Sequence, residues 1–411
     1  MHFDIIEEGQ LFDNVLIPKY NLSLNDYSIS NSNPKSQFVG FVIKDKSVLS
    51  SFPKNYLSNF TLPIFACENE ENKLINVRLL LDTMIKYYNS ESHLANQFYG
   101  NRPFFSSNFP FSSLYIVNAY YKKYGLYKEE IYSETLNSCG KINWKKTINC
   151  CESIVTNDNI IYRDHYSIKE DYLENIISEA MIDVINKSYS LLYWFLDDLK
   201  PIKSKKRIRY NSLQMISILQ KKLNLVFSDE KKKLIRALID FYKMNEDGGD
   251  IYLKIYYFQD CWQKMINKYL NDYFRSASPD EIVFSDMLNR SGIHFDKKRF
   301  YVDDAHNHYI EPDHYSKEFE KHYIFDSKYY VDLIELNYKQ LSYQFLLSNF
   351  FGINEDDSQC ISALFLPGTK PNDLNYDIKT EFRGNMKLKT IEYYLNVSIV
   401  MISYVYNRKT F

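Results

Sequence analysis

Two short stretches in the last third of the chain decide its fold: Tyr309–Asp313, which reads YIEPD, and 322–330, which reads HYIFDSKYY. We predict that the second stretch is a strand. Side chains alternate along a strand, so Asp326 and Lys328 would point to one face of the sheet. Asp313 lies thirteen positions before Asp326, which leaves room for a turn or a loose hairpin loop between two paired strands, the first of them ending near Asp313. The sequence therefore predicts two carboxylates and one ammonium group at a single spot.

Two carboxylates beside a lysine suit a divalent-metal site that acts on a phosphodiester. Carboxylate oxygens are hard ligands for Mg²⁺, for which Mn²⁺ can substitute, and Mg²⁺ keeps several waters and can take a phosphate as a further ligand. The ion would stabilise charge on the phosphoryl oxygens, and the lysine would orient the attacking water or offset developing charge. We predict Asp313 and Asp326 as metal ligands and Lys328 as a catalytic group. The alternative is a surface strand that carries an ordinary salt bridge.

The composition is that of an ordinary folded protein. The chain has 411 residues, a net charge of −2 and 25% charged residues, and its 11 Gly and 11 Pro exclude a collagen-like chain. At about 150 residues per domain, this length predicts two or three units. A net charge near zero does not exclude a nucleic-acid partner, because the electrostatic field depends on where the charges lie.

The sequence predicts a cytoplasmic protein without a membrane segment. The opening residues, MHFDIIEEGQ, carry acids where an export signal needs a basic region followed by an apolar one. The most apolar window, Tyr394–Tyr406, is shorter than the roughly 20 residues that span a bilayer, so we predict a buried element there. The cysteines form no C-x-x-C pair, and we expect reduced core thiols rather than a zinc site at Cys67, Cys139, Cys150, Cys151, Cys261 and Cys360.

The chain divides into three stretches that together predict an α+β fold. Residues 1–100 are expected to form a mixed α/β module with an edge hairpin at Phe38–Phe52. Residues 101–245 are expected to form a helical middle domain, and residues 246–411 a mixed sheet flanked by helices. The predicted helices cover about 169–196, 213–226, 229–244, 251–274 and 333–349, and a further strand covers 361–366.

The combination of Pro312-Asp313 with Asp326-Ser327-Lys328 resembles the motif of the PD-(D/E)XK nuclease superfamily. The core of that superfamily looks like the order predicted here: a helix, a β-meander that carries the motif, a second helix and a further strand. Ile324–Tyr330, followed by a helix that contains KQLSYQ at 339–344, is similar to the nuclease domain of McrC-like and LlaJI-type restriction proteins. Two more segments resemble the LlaJI-type subunit, FVGFVIKDKSVLSSFPKNY at Phe38–Tyr56 and KINWKKTI at Lys141–Ile148.

The resemblance implies a Mg²⁺-dependent endonuclease subunit of a bacterial restriction system, which defends against phage by cutting double-stranded DNA. Asp313 and Asp326 would hold the metal, and Gln340, on the helix after the strand, would act beside Lys328. The resemblance also implies a separate AAA+ GTPase motor subunit, similar to McrB, that docks on residues 1–100. The chain itself carries no G-x-x-x-x-G-K-[ST] nucleotide-binding loop.

The chain departs from the pattern of these nucleases at two places. Many relatives carry a Glu in the helix before the meander, where this chain offers Asp260; Glu311 is another candidate for that role. Related RecB-like nucleases place Gln and Tyr four apart after the lysine strand, whereas Gln340 and Tyr343 are three apart. These departures keep a second hypothesis open, namely a non-catalytic adaptor or DNA-binding protein on a degraded nuclease fold.

The triplet His306-Asn307-His308 spells H-N-H, but it does not predict an HNH nuclease or a zinc site. An HNH site takes its residues from separate positions on a hairpin and a helix. Adjacent residues that alternate in direction cannot all face one metal without a special turn. We expect polar loop histidines at this position.

The segment Lys200–Arg209 carries six cations and no acid, so it is either a solvated linker between helices or a patch that contacts DNA phosphates. We expect neutral replacement of four of these cations to weaken DNA binding and to flatten its salt dependence, because fewer counterions are then released on binding. The measurement is binding of the whole chain to duplex DNA over a salt series, and an unchanged slope would favour the linker. The four residues are Lys203, Lys205, Lys206 and Arg207.

Overall fold

The computed structural model describes residues 2–44, 47–57, 69–91, 98–99, 102–137, 141–155, 159–174, 176–193, 196, 199–203, 210–244, 250–288, 292–303, 308–331, 338–353, 359–368, 376–378 and 390–408. The chain forms two compact units: Met1–Phe109 together with Gly248–Phe411, and Pro110–Asp247. The first and last of the three predicted stretches thus contribute to one unit. Their assignment to separate functional modules, 1–100, 101–245 and 246–411, stays a prediction.

Strands and helices are mixed along the chain, which confirms the predicted α+β class. The first elements are β1 (His2–Glu7), α1 (Leu16–Lys19), β2 (Tyr27–Ser30), β3 (Asn33–Ser36), β4 (Val39–Lys44), β5 (Ser47–Phe52), α2 (Glu70–Ser90), β6 (Phe98–Tyr99), β7 (Arg102–Pro103) and β8 (Phe105–Ser107). The second unit contains α3 (Phe111–Tyr124), β9 (Lys128–Leu136), β10 (Lys141–Ile142), α4 (Trp144–Cys150), β11 (Ser153–Val155), β12 (Ile160–Tyr162), β13 (Tyr166–Glu174), α5 (Ile176–Leu192), α6 (Ser212–Leu223) and α7 (Asp229–Met244). The first unit then continues with β14 (Ile251–Ile255), α8 (Phe258–Tyr273), β15 (Phe274–Ala277), β16 (Ile282–Phe284), β17 (Phe300–Asp303), β18 (His308–Ile310), β19 (His314–Glu318), β20 (Lys321–Ser327), α9 (Tyr338–Phe350), β21 (Cys360–Pro367), β22 (Tyr376–Ile378), β23 (Thr390–Leu395) and α10 (Val397–Tyr406).

One sheet of the first unit has the order β1-β5-β4-β14-β8. β4 and β5 pair antiparallel, which confirms the hairpin predicted at Phe38–Phe52. Both strands lie inside the sheet, however, so the prediction of an edge hairpin is wrong. The helix predicted over 251–274 is also wrong at its start, because Ile251–Ile255 forms β14 and pairs with β4. Residues 251–255 therefore join a sheet that begins at residue 2.

The second sheet of this unit has the order β19-β20-β21-β23-β22 and carries the sequence motif. β19 pairs antiparallel with β20, whereas β20, β21 and β23 run parallel to one another. Every residue of β21 and of β23 is buried, as is typical of parallel strands covered on both faces. The strand predicted over 361–366 is confirmed as β21, and the buried window Tyr394–Tyr406 as the end of β23 with α10.

Alternate side chains of β20 pack into two different layers. Phe325 contacts Phe295 and Phe365, whose ring centroids lie 5.4 Å from its own, in an aromatic layer near the end of α8. Ile324 instead belongs to an apolar cluster with Leu347 of α9. The two helices thus cover opposite faces of the strand that carries Asp326.

The second unit combines a long pair of antiparallel strands with helices. β13 pairs antiparallel with β9 over nine residues, so the helix predicted over 169–196 is wrong before residue 175, and α5 begins at Ile176. β-Pairing between distant segments overrides the helical periodicity of the local sequence there. The helix predicted over 229–244 is confirmed as α7, which buries Leu234, Leu238 and Phe241.

The prediction that the cysteines are core residues is confirmed only in part. Cys261 and Cys360 are buried as expected, but Cys150 is exposed and Cys151 half-buried; Cys67 and Cys139 lie outside the described residues. Within the described ranges, no helix combines the length and apolarity that a membrane crossing requires.

Gly40 of β4 faces the backbone of β14 with no room for a side chain. Its φ is +148°, and a Cβ added there would lie 2.1 Å from the Leu253 carbonyl oxygen. We expect Gly40→Ala to lower the free energy of unfolding by more than about 2 kcal/mol, because the two strands must move apart. Gly292→Ala is the control, since Gly292 also has a positive φ of +79° but no neighbour within 4 Å. Equal losses in urea denaturation of the two variants would contradict this account.

Candidate active site

The hairpin of β19 and β20 brings both motif carboxylates to one place. Asp326 lies in β20, and Asp313 immediately precedes β19, which begins at His314. The strand that pairs with β20 thus begins just after Asp313, so the expectation that it ends near Asp313 is wrong. The two strands nevertheless pair. The backbone N–H of Ser327 donates to Asp313 Oδ2 at 3.1 Å, which fixes the Asp313 side chain beside the end of β20.

Both carboxylates face α9. Tyr315 of β19 and Ile324 of β20 oppose each other and share an apolar cluster with Leu347 of α9. Because strand side chains alternate, Asp326, two positions from Ile324, lies on the same face. Asp313, two positions before Tyr315, contacts Asp326 on that face.

Lys328 follows β20 and completes the group. Its ammonium forms an ion pair with Asp326 Oδ2, so the two charged side chains lie together as the strand alternation predicts. The Lys328 N–H donates to the Phe365 carbonyl oxygen at 2.9 Å, which extends the pairing of β20 with β21 by one residue. The Asp326 side chain is 1% exposed and that of Lys328 16% exposed. Lys328 therefore lies between the buried carboxylate and solvent.

The two carboxyls of this pair ionise very differently. Burial, together with the hydrogen bond and negative charge of Asp326, raises the pKa of Asp313 to about 7. Burial acts against ionisation of Asp326 too, but the hydrogen bond from Asp313 and the charge of Lys328 hold the pKa of Asp326 below its ordinary value. Below a pH of about 7 the pair therefore carries Asp326 as the carboxylate and shares one proton through Asp313.

The oxygens of Asp326 fit a divalent cation. Both are buried, and apart from the Lys328 ammonium and the proton shared with Asp313, no donor in the described part of the chain reaches them. A bound cation would satisfy these oxygens and allow both carboxyls to ionise. Hard carboxylate oxygens are also the ligands that Mg²⁺ prefers. Across the residues that the structure describes, no group of three or more His, Cys, Asp or Glu side chains could hold a metal, so water or substrate would supply the remaining ligands.

Lys339 is a second cation near the pair, which sequence reasoning missed as a site residue. It lies in the first turn of α9, and its ammonium is 5.1 Å from the centre of the Tyr343 ring. Burial acts to lower the pKa of Lys339, but the charges of Asp326 and Asp313 and a hydrogen bond with Tyr343 raise it above its ordinary value. The signal was present in the sequence, since Lys339 directly precedes the predicted site residue Gln340.

Gln340 lies on the buried face of α9 and ties the helix to the sheet. Its Nε2 donates to the Ile324 carbonyl oxygen at 2.8 Å and to Ser362 Oγ at 3.0 Å. Gln344, one helical turn later, is also buried, and its Nε2 donates to the Cys360 carbonyl oxygen at 3.2 Å. These contacts hold α9 against β20 and β21, and a catalytic role for Gln340 stays a prediction.

His314 supports the pair from the opposite face of the hairpin. Its Nε2 lies 2.6 Å from Ser327 Oγ, and its Nδ1 lies 3.3 Å from Asn267 Nδ2 of α8. Burial lowers the pKa of His314 to about 3, so the ring is neutral at physiological pH. His314 thereby links α8 to the residue between Asp326 and Lys328. This contact depends on tertiary packing and had no signal in the sequence.

Other candidates are engaged elsewhere or lie outside the described residues. Glu311 forms ion pairs with Arg299 and, at 3.4 Å, with Lys297, and the Arg299 hydrogen bond lowers its pKa. Asp260 lies in the first turn of α8, and burial raises its pKa. The predicted DNA contacts Lys205, Lys206 and Arg207, as well as His306-Asn307 and the His308 side chain, lie outside the described residues. Lys203 lies in the short described segment 199–203 and is exposed.

No protein-family model and no curated protein matches the sequence. Among solved structures, one similar chain comes from a refined half-complex of a tetradecameric assembly of Thermococcus gammatolerans McrB AAA+ hexamers with bound McrC; the identity is 11%, the TM-score 0.45, and 98% of each chain is covered. Another comes from the Thermococcus gammatolerans McrBC complex, with 11% identity, a TM-score of 0.26, and coverage of 64% of this chain and 85% of that one. Both of these chains come from McrBC complexes, and the two matches do not assign this chain to a family.

The shared proton makes metal binding depend on pH. An ion between the carboxyls must displace the proton from Asp313, so Mn²⁺ affinity should rise about tenfold per pH unit below a pH of about 7 and level off above it. Isothermal titration calorimetry in two buffers of different ionisation enthalpy would count the released proton. Glu311→Gln is the control and should keep this dependence. Affinity that is independent of pH between 5.5 and 7.5 would show that the pair does not hold the ion.

Proposed function

We propose that this protein is a Mg²⁺-dependent DNA endonuclease subunit of a bacterial restriction system. The observation that carries the proposal is the pair formed by the buried Asp326 and the half-buried Asp313, with lysine ammonium groups beside it. A carboxyl pair that shares a proton away from water is costly for folding, and such an arrangement is typical of a functional site rather than of a surface salt bridge. The motif resemblance to McrC-like and LlaJI-type nucleases agrees with this chemistry.

Each charged residue has a separate task in the proposed reaction. Asp313 and Asp326 would hold the metal ion through their oxygens. When bound, Mg²⁺ stabilises charge on phosphoryl oxygens and lowers the pKa of the attacking water. Lys328 pairs with Asp326 yet stays partly exposed, so its ammonium lies where it can orient the water or offset charge that develops on the scissile phosphate. Lys339 adds a second positive charge on the same side of the carboxylates and would attract the DNA backbone.

We also propose that cleavage is coupled to a separate AAA+ GTPase motor subunit of the McrB type. The support is the resemblance of Phe38–Tyr56 and Lys141–Ile148 to LlaJI-type segments, together with the lack of a P-loop in this chain. Double-stranded DNA would be the substrate of the assembly, and the motor would supply the movement.

A second candidate function is that of a non-catalytic adaptor that binds DNA or the motor. The observation in its favour is that the described residues offer a metal only two carboxylates, with Glu311 engaged by Arg299. The adaptor hypothesis treats the Asp326–Lys328 pair as structural. The two candidates therefore differ in what the removal of Lys328 should do.

We expect Lys328→Ala to reduce plasmid cleavage by about 10²-fold to 10³-fold, since it removes a charge positioned for the transition state. DNA binding, thermal stability and capture of the motor subunit should change little. Asp326→Asn should also lose cleavage, because it weakens metal binding. High Mg²⁺ should restore part of the cleavage by Asp326→Asn and none of the cleavage by Lys328→Ala. The assay uses the chain with and without a candidate GTPase encoded beside it.

Lys321→Ala is the matched control, because Lys321 lies exposed at the opposite end of the same strand. It should cut at the wild-type rate. If Lys328→Ala also cuts at that rate, the catalytic assignment is wrong. If the wild-type protein binds the motor and DNA but never cuts in Mg²⁺ or Mn²⁺, the adaptor is the better account.

A further inference from the structure

We propose that the N-terminal sheet positions Lys328 through Lys54 and Asn55, the second and third residues after β5, which hold the chain directly after the lysine. This inference rests on the proposed function, since it concerns the lysine of that site. It makes Lys54, Asn55 and Tyr329 positioning residues that contact neither metal nor substrate.

Tyr329 is the first anchor. Its hydroxyl donates to Glu8 Oε2 at 2.6 Å and accepts the backbone N–H of Lys54 at 2.9 Å. Its ring packs against Phe258 and Trp262 of α8, with centroid separations of 5.5 and 6.4 Å. The residue next to Lys328 is therefore held at its polar end by the N-terminal sheet and along its apolar ring by α8.

Backbone carbonyls form the second anchor. Lys54 Nζ donates to the Tyr329 carbonyl oxygen at 3.2 Å and lies 4.7 Å from the centre of its ring. Asn55 Nδ2 donates to the carbonyl oxygens of Val331 and Pro367, each at 2.9 Å. Pro367 ends β21, so one amide group joins the segment after β20 to the neighbouring strand.

The turn that presents Asn55 is itself fixed. Asn55 has a φ of +59°, in the left-handed region that asparagine tolerates better than most residues. The buried Glu7 carboxylate accepts the backbone N–H of Asn55 at 2.8 Å and that of Leu57 at 2.9 Å. The side-chain amide of Asn55 is therefore held in place between the segment after β20 and the end of β21.

Lys328 depends on these anchors because it lies between two fixed points. Its N–H donates to the Phe365 carbonyl oxygen. The Cα atom of the anchored Tyr329 lies one peptide unit, about 3.8 Å, from the Cα atom of Lys328. The Lys328 ammonium pairs with Asp326, so a shift of the backbone at residue 328 changes the side-chain conformation that can reach this position. A displacement of about 1 Å in a catalytic group can cost on the order of 10²-fold in rate.

The test uses two substitutions that leave packing and backbone conformation intact. Tyr329→Phe keeps the ring and removes the hydroxyl, whereas Asn55→Gly keeps the left-handed turn and removes the amide. Tyr20→Phe and Asn21→Gly are matched controls in the same unit. Tyr20 donates its hydroxyl to Asp4 at 2.6 Å, and Asn21, with a φ of +48°, donates its amide to Asp250 at 2.7 Å.

The first readout is hydrogen exchange of the peptide that covers residues 326–331, and it does not depend on activity. We expect exchange there to rise about tenfold in both test variants and to stay at the wild-type rate in both controls. The second readout is plasmid cleavage, in which kcat should fall about tenfold or more while KM for DNA and Mn²⁺ affinity change less than twofold.

The outcomes separate this inference from the proposed function. Unchanged exchange at 326–331 in both test variants overturns the positioning role whether or not the protein cuts DNA. Faster exchange with an unchanged kcat overturns it as well, since Lys328 would then act without the anchors. If the wild-type protein does not cut, the nuclease proposal fails, and the exchange result alone decides whether the sheet holds this segment.

Discussion

The burial of Asp326 beside Asp313 is the constraint on which the rest of the motif region depends. A carboxylate removed from water without compensation costs several kcal/mol, on the order of the stability of a whole domain. Two such groups in contact ionise together only at a cost, so the pKa of Asp313 is raised to about 7 while Lys328 pairs with the Asp326 carboxylate. The strands, α8 and α9 therefore enclose a carboxyl pair whose charge depends on its neighbours.

Much of this site was accessible to sequence reasoning, because a strand with period-two alternation places Asp326 and Lys328 together whatever surrounds it. The spacing to Asp313 limited the geometry to a hairpin in the same way. The start of β14 was not accessible, since Ile251–Ile255 is apolar enough for either a helix or a strand, and its pairing with β4 joins segments about 200 residues apart. The same holds for β13, whose helical periodicity gives way to pairing with β9.

The supporting residues could not be predicted for a different reason. His314, Lys339 and Asn55 have no local pattern that marks them, and each acquires its role from a neighbour distant in sequence. His314 reaches Ser327 and Asn267, and Asn55 reaches carbonyls more than 270 positions away. Short motifs identify the groups that carry the charge, whereas the contacts that hold those groups in place appear only when the sheets are assembled.

Two structural routes lead from the N-terminal sheet to the end of β20. One is the turn after β5, which binds Tyr329 directly. The other runs through β14 into α8, where Trp262 packs on Tyr329 and its Nε1 donates to the Phe365 carbonyl oxygen at 3.4 Å, the same oxygen that accepts the Lys328 N–H. A fragment that begins at residue 246 would lack the turn after β5 that binds Tyr329. Its β14 would also lack the partner strand β4. The sheet that begins at residue 2 therefore lies in the same compact unit as the candidate active site and reaches the segment that directly follows Lys328.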